Sequence, residues 1–317
     1  MVGVTGLPLA GCASDTTASE AELDAQDALM GGNLDLKNLK AEKERKRADL
    51  KAKEAEEAAN PTRRTPITKL WNEPGPRPDD AVQNMSDCYF AAAVAAVAHA
   101  QPGFFKTTML PKYEVVDGVQ TTKIAGYGVT LFDTSDDLYG AIPEVIDIEN
   151  TLPLAANGKL LFGYGGNGTF WFPVIERAFA RQKGGYDKIG SYGMAGAALS
   201  RVTGQFSKAA LLTKGRKDAA WRRVSDALNN HQPLVACNVL KDPLPGMTSF
   251  HCNALVGSEE KDGERWVKMY NSRQKLYLPT KTKRAAENTV NGYYWVSIAE
   301  WVDAFDYIVY TTGLRTP

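Results

Sequence analysis

The sequence predicts an α+β protein with a helical front half and a back half of short strands. Three stretches carry that reading. Asp87-Cys88 opens a long apolar helix, YFAAAVAAVAHA, which Gln101-Pro102-Gly103 stops. Phe170 to Gln182, FWFPVIERAFARQ, has the spacing of an amphipathic helix and ends at Gly184-Gly185. From residue 233 the texture changes to PLVACNVL, HCNALVG, RWVKMY and KLYLP, apolar runs of strand length divided by turns.

The remaining elements follow in chain order. Residues 1–34 read as a lead, and Leu9-Ala10-Gly11-Cys12 within them resembles a bacterial lipobox, in which the Cys is lipidated after signal cleavage. A lipidated Cys12 would hold the protein at a membrane outside the cytoplasm. Against this, no Lys or Arg precedes the apolar stretch, and Gly3, Gly6 and Pro8 interrupt it, so a cytoplasmic protein is the other reading. Residues 35–60 are rich in helix formers of both charges with a sparse apolar repeat, which predicts a solvated helical spacer roughly 40 Å long. Asn60-Pro61 ends it, and the globular domain runs over 61–317. Within that domain, residues 113–132 alternate around Asp117-Gly118 as a hairpin, with a helix near 135–141. Residues 206–230 hold one or two helices, and 297–305 a short one.

Composition narrows the function classes. Of 317 residues 44% are hydrophobic and 23% charged, which excludes a disordered, collagenous or disulfide-dense chain. Lys plus Arg and Asp plus Glu both number 37, so no net charge argues for a nucleic-acid partner. No apolar run reaches the roughly 18 residues of a spanning helix. The three histidines, His99, His231 and His251, have no metal-ligand spacing.

Cys88 is the candidate nucleophile. It stands at a helix N-terminus, where free N–H groups and the helix dipole favour a thiolate. Cys237 and Cys252 lie inside apolar strand patterns and read as buried cysteines. His99 is about 16 Å further along the helix of Cys88, too far to pair with it. His251 has a register argument. The turn at Lys261-Asp262-Gly263 gives paired positions a sum of roughly 522–526, so His251 faces residues 271–275. Asn271 is at the edge of that window, where its side chain would accept the Nδ1–H and orient the ring. Gln83 could supply an oxyanion-hole amide beside the Cys88 N–H.

These residues stand in motifs that resemble the calpain catalytic domain, a papain-like cysteine protease. QNMSDCYFAAAVAAVA is similar to the calpain nucleophile segment. LPLAANGKLLF and GTFWFPVIERAFARQKGGYDKI resemble its central stretch, and NGYYWVSIAEWVDAFDYI its ending. The resemblance covers about 80–310 and implies a papain-like fold with a cleft between a helical subdomain (about 80–203) and a β-rich one (about 204–317). It implies Cys88 as nucleophile, His251 as general base and acid, Asn271 as orienter and Gln83 as oxyanion donor. The expected partner is a protein or peptide substrate, hydrolysed through a thiol acyl-enzyme.

The chemistry requires no cofactor; calcium as a regulator stays open, with no EF-hand loop present. The chain departs from the family pattern in places. Gln83 is one residue closer to the Cys, and Ser86 replaces a Gly. Phe250-His251-Cys252-Asn253 stands where the family has Gly-His-Ala-Tyr. The Pro-Trp-Gly after the Asn, whose Trp shields the Asn–His pair from water, is missing. Two alternatives therefore remain: a pseudoprotease acting as a binding module, and another acyl transfer, transglutamination or deamidation, on the same triad.

Overall fold

The computed structural model describes residues 36–134, 141–247, 249–274 and 278–315. The expected lead with Cys12, nearly all of the helix expected near 135–141, and most of the KLYLP run lie outside these residues. Among the described residues no helix is long and apolar enough to cross a membrane.

Helix α1, Leu36–Ala59, forms where the charged helix formers predict it. It does not stand clear as a spacer. Leu50 is buried against the domain, and a Cβ on Gly190 would collide with it. Arg47 donates to Ser191 Oγ at 3.1 Å, and Glu54 accepts the Tyr186 main-chain N–H at 2.6 Å. Glu57 receives both Arg177 and Arg64.

Two short strands follow, β1 (Arg64–Pro66) and β2 (Ala81–Val82), then helices α2 (Cys88–Ala100) and α3 (Phe104–Thr108). Alanines on every side of α2 let neighbours approach closely, so every α2 residue except His99 is buried. The expected hairpin is β3 (Met109–Val116) and β4 (Val119–Asp133), turned by left-handed Asp117 and Gly118. With β5 (Ile142–Glu149) it makes a three-stranded sheet in the order β3-β4-β5. Strands β6 (Thr151–Pro153) and β7 (Tyr164–Gly165) pair with β1 and β2.

Helix α4 (Trp171–Lys183) ends in left-handed Gly184, φ 84°. Its Phe179 stacks on Phe90 of α2 with ring centroids 4.2 Å apart. Short helix α5 (Tyr186–Ile189) and α6 (Ala195–Thr203) complete the helical half.

The back half begins with β8 (Lys208–Leu211), a strand where helix was expected. KAAL is too short to read by periodicity, and its pairing with a distant strand decides its form. Helix α7 (Lys217–Asn229), β9 (Leu234–Asn238), β10 (His251–Lys261), β11 (Glu264–Tyr270), β12 (Tyr293–Ser297), α8 (Ile298–Ala304) and β13 (Tyr307–Tyr310) follow. The antiparallel sheet has the order β12-β11-β10-β9-β13-β8. Val235, Cys237, Cys252, Ala254 and Val256 belong to the core shared with α2. Leu234, Ala236 and Leu255 belong to the core shared with α7 and α8. The alternation is that of strands buried on both faces. It brings the start of α2 against β10, and the candidate site lies there.

Candidate active site

Cys88 is the first residue of α2, at the end where main-chain N–H groups are unpaired and the dipole is positive. It is 7% exposed. Its thiol donates to the main-chain carbonyl of Phe250 at 3.8 Å, which brings it to the residue before His251. Burial pushes the Cys88 thiol up, countered by the Cys252 main-chain N–H; the charge of Asp87 adds to the rise and that of Arg273 opposes it.

His251 begins β10 and is 2% exposed. The hairpin register that pointed to Asn271 is present: Ala254 pairs with Tyr270 and Lys261 with Glu264, across a turn of left-handed Asp262 and Gly263. His251 Nε2 lies 2.8 Å from Asn271 Oδ1. The Arg273 main-chain N–H also donates to that oxygen, at 2.9 Å, which fixes the amide orientation. An amide oxygen only accepts, so Nε2 carries the proton and Nδ1 keeps a lone pair. This corrects the expectation that Asn271 would take Nδ1–H: the Oδ1 approaches the other ring nitrogen, Nε2. Burial lowers the His251 pKa to about 4, with the Asn271 hydrogen bond opposing and Arg273 assisting. Burial thus favours the uncharged form of each group, the thiol at Cys88 and the neutral imidazole at His251.

Asn271 follows β11 and is fully buried. Its N–H donates to the Gly292 carbonyl at 3.0 Å, and its carbonyl accepts from Gln274 at 2.8 Å. Gly292, φ 91°, is needed there because a Cβ would strike the Asn271 carbonyl. The missing Pro-Trp-Gly does not leave the pair wet, since His251 and Asn271 are both enclosed.

Gln83 follows β2 and is also buried. Its main chain donates to the Ser272 carbonyl at 3.0 Å, and its Oε1 accepts from Ser272 Oγ at 3.0 Å. Its Nε2 donates to the Met85 carbonyl. Gln83 thus ties the nucleophile segment to the loop after Asn271, with one amide N–H already engaged. His99 and His231 are exposed, away from the pair.

Sequence reasoning missed three features. Cys237 and Cys252, expected as separate buried cysteines, form a disulfide across β9 and β10. Their places in two apolar strands were the available signal; strand adjacency was not. Glu176 of α4 meets Asp87 in full burial. Among the described residues no other side chain bonds the Asp87 oxygens, and a hydrogen bond between the two carboxyls needs a proton on one. Burial and the neighbouring charge hold Glu176 well above the usual carboxylate range, and burial also raises Asp87. Phe250 has a left-handed backbone, φ 55°, where the family pattern has Gly.

Among the described residues no group of three or more His, Cys, Asp or Glu could hold a metal ion. Asp79 and Asp80, both buried, accept from Arg77, Asn167, Trp171, Asn291 and Tyr293.

A model of the family described as calpain family cysteine protease matches residues 41–261. The match takes in Cys88 and His251 and ends before Asn271. Calpain-7 of Mus musculus is 24% identical over 255 residues, 70% of this chain and 30% of that protein. Calpain-7 of Homo sapiens is 24% identical over 264 residues, 73% of this chain and 32% of that protein. The chain spans about a third of the length of these curated relatives. A solved NlpC/P60 endopeptidase from Photobacterium damselae subsp. piscicida aligns at 7% identity over 66% of this chain and 52% of its own, with a TM-score of 0.19.

Proposed function

From a chain that belongs to the calpain family of cysteine proteases, we propose a peptide-bond hydrolase of papain-like architecture, with Cys88 as nucleophile, His251 as base and acid, and Asn271 as orienter. The observation that carries it is the His251–Asn271 contact beside the thiol-bearing end of α2. The Nδ1 lone pair takes the thiol proton as sulfur attacks the scissile carbonyl carbon. Helix N–H groups at Cys88 stabilise the developing oxyanion. The imidazolium then gives its proton to the leaving amine, and water, deprotonated by the same nitrogen, hydrolyses the acyl-enzyme. Asn271 holds Nε2–H throughout, so the ring keeps one tautomer.

The test is a mass-spectrometric cleavage profile of the wild type against Cys88→Ala and Cys88→Ser. Both variants should lose cleavage and keep the fold, because the side chains are close in volume. Full cleavage by either variant overturns the proposal. A second reading, a binding module without turnover, is favoured by the engagement of the Cys88 thiol with the Phe250 carbonyl. Alkylation of Cys88 by iodoacetamide at neutral pH without cleavage of any peptide would select it.

A further inference from the structure

We infer that the Cys237–Cys252 disulfide is a positioning element for His251, holding the start of β10 in the geometry that catalysis uses. The inference rests on the reading of His251 as base. His251 is the first residue of its strand, and strand ends open most readily. Phe250, just before it, is left-handed at φ 55°. A bulky residue stays in that region only where its surroundings over-determine it.

The surroundings are specific. His251 pairs with Asn238 and Cys252 with Cys237, the terminal pairs between β10 and β9. The His251 N–H donates to Asn238 Oδ1 at 3.2 Å. The disulfide joins the next pair covalently and closes the loop that returns through Phe250. The same short stretch serves both reacting groups: the Phe250 carbonyl accepts from the Cys88 thiol, and the His251 ring reaches Asn271. Phe250 and Cys252 stand where the family pattern has Gly and Ala. The two departures work together, since a residue that strains the strand entrance is matched by a bond that ties it down.

A dithiol opens the bond. The reductant supplies two electrons and two protons, Cys237 and Cys252 become thiols, and the reductant leaves as its own disulfide. Phe250 is then free to relax, and His251 moves with it.

The experiment compares the wild type with the Cys237→Ala, Cys252→Ala double variant, each with and without Phe250→Gly. It reads kcat and KM on a cleaved peptide and the pH profile of Cys88 alkylation by iodoacetamide, mapped by mass. The double variant should lose on the order of tenfold to a hundredfold in kcat with little change in KM. Its alkylation profile should shift, and dithiothreitol should no longer affect it. Phe250→Gly should restore more activity to the double variant than it adds to the wild type, because Gly enters the left-handed region freely. Unchanged kcat and alkylation profile in the double variant overturn the inference. So does a loss that Phe250→Gly does not relieve, or alkylation of Cys237 and Cys252 as free thiols in the native protein. If the double variant does not fold, the wild type opened with dithiothreitol gives the same readings. A shifted Cys88 profile without peptide cleavage sinks the hydrolase proposal alone; cleavage without a shift sinks the positioning role alone.

Discussion

His251 Nε2 and Asn271 Oδ1 stand 2.8 Å apart, joined through a hairpin whose turn lies midway between them. The contact is buried and the amide is held by a second donor, so Asn271 acts on the ring in a dry environment. Asn271→Ala should lower kcat on the order of a hundredfold or more with a small change in KM. The Asn271→Ala, His251→Ala pair should cost little more than His251→Ala alone. Full additivity in steady-state kinetics would show that Asn271 does not work through His251.

The pH profile should be displaced to acid. Burial favours the neutral imidazole, so the base becomes available as pH rises through about 4. The acid limb of kcat/KM should fall there; a limb near the ordinary histidine value of 6.5 would mean a solvated ring. Folding lowers this pKa, so the unfolded chain binds more protons between about 4 and 6.5. Stability should therefore decline as pH falls through that window, and His251→Gln should remove that part of the decline in urea titrations.

Asp87 and Glu176 give the opposite sign. Burial raises the Asp87 pKa, so the folded state binds more protons above the ordinary carboxylate range and stability falls as pH rises. The melting temperature of Asp87→Asn should gain on the wild type from pH 4 to pH 8. Its Cys88 should also alkylate at lower pH, because the Asp87 charge raises the thiol pKa. Glu176→Gln keeps a donor to Asp87 and should cost under about 1 kcal/mol. Glu176→Ala should cost about 2–4 kcal/mol through a cavity and an unsatisfied carboxyl. Equal losses for Gln and Ala would mean that Glu176 works as an anion.

Leu50 is 4% exposed in a helix otherwise dominated by charge. Leu50→Ala should destabilise the domain by about 2–3 kcal/mol in thermal melts. An unchanged melt would mean that α1 contributes no packing.

What could be read in advance divides along physical lines. The α2 helix, the β3–β4 hairpin and the β10–β11 register were legible because Gln101-Pro102-Gly103, Asp117-Gly118 and Asp262-Gly263 act locally. The docking of α1 was hidden, since one leucine among ion pairs leaves almost no apolar period. The disulfide was hidden because Cys237 and Cys252 meet only once the loop between β9 and β10 returns. The choice of ring nitrogen depended on ångström-scale placement of Asn271, and Glu176 looked like any polar position of an amphipathic helix.

Helix α2 has one window. Its alanines touch neighbours on all sides, and enlarging any of them should cost about 1–3 kcal/mol. His99 alone is exposed, and the charges of Lys268 of β11 and His231 reach it. It rides about 16 Å from Cys88 on the same rigid rod. A fluorophore or spin label at His99 would therefore report how the rod that bears the sulfur turns against the sheet that bears the imidazole, while remaining far from the reacting atoms.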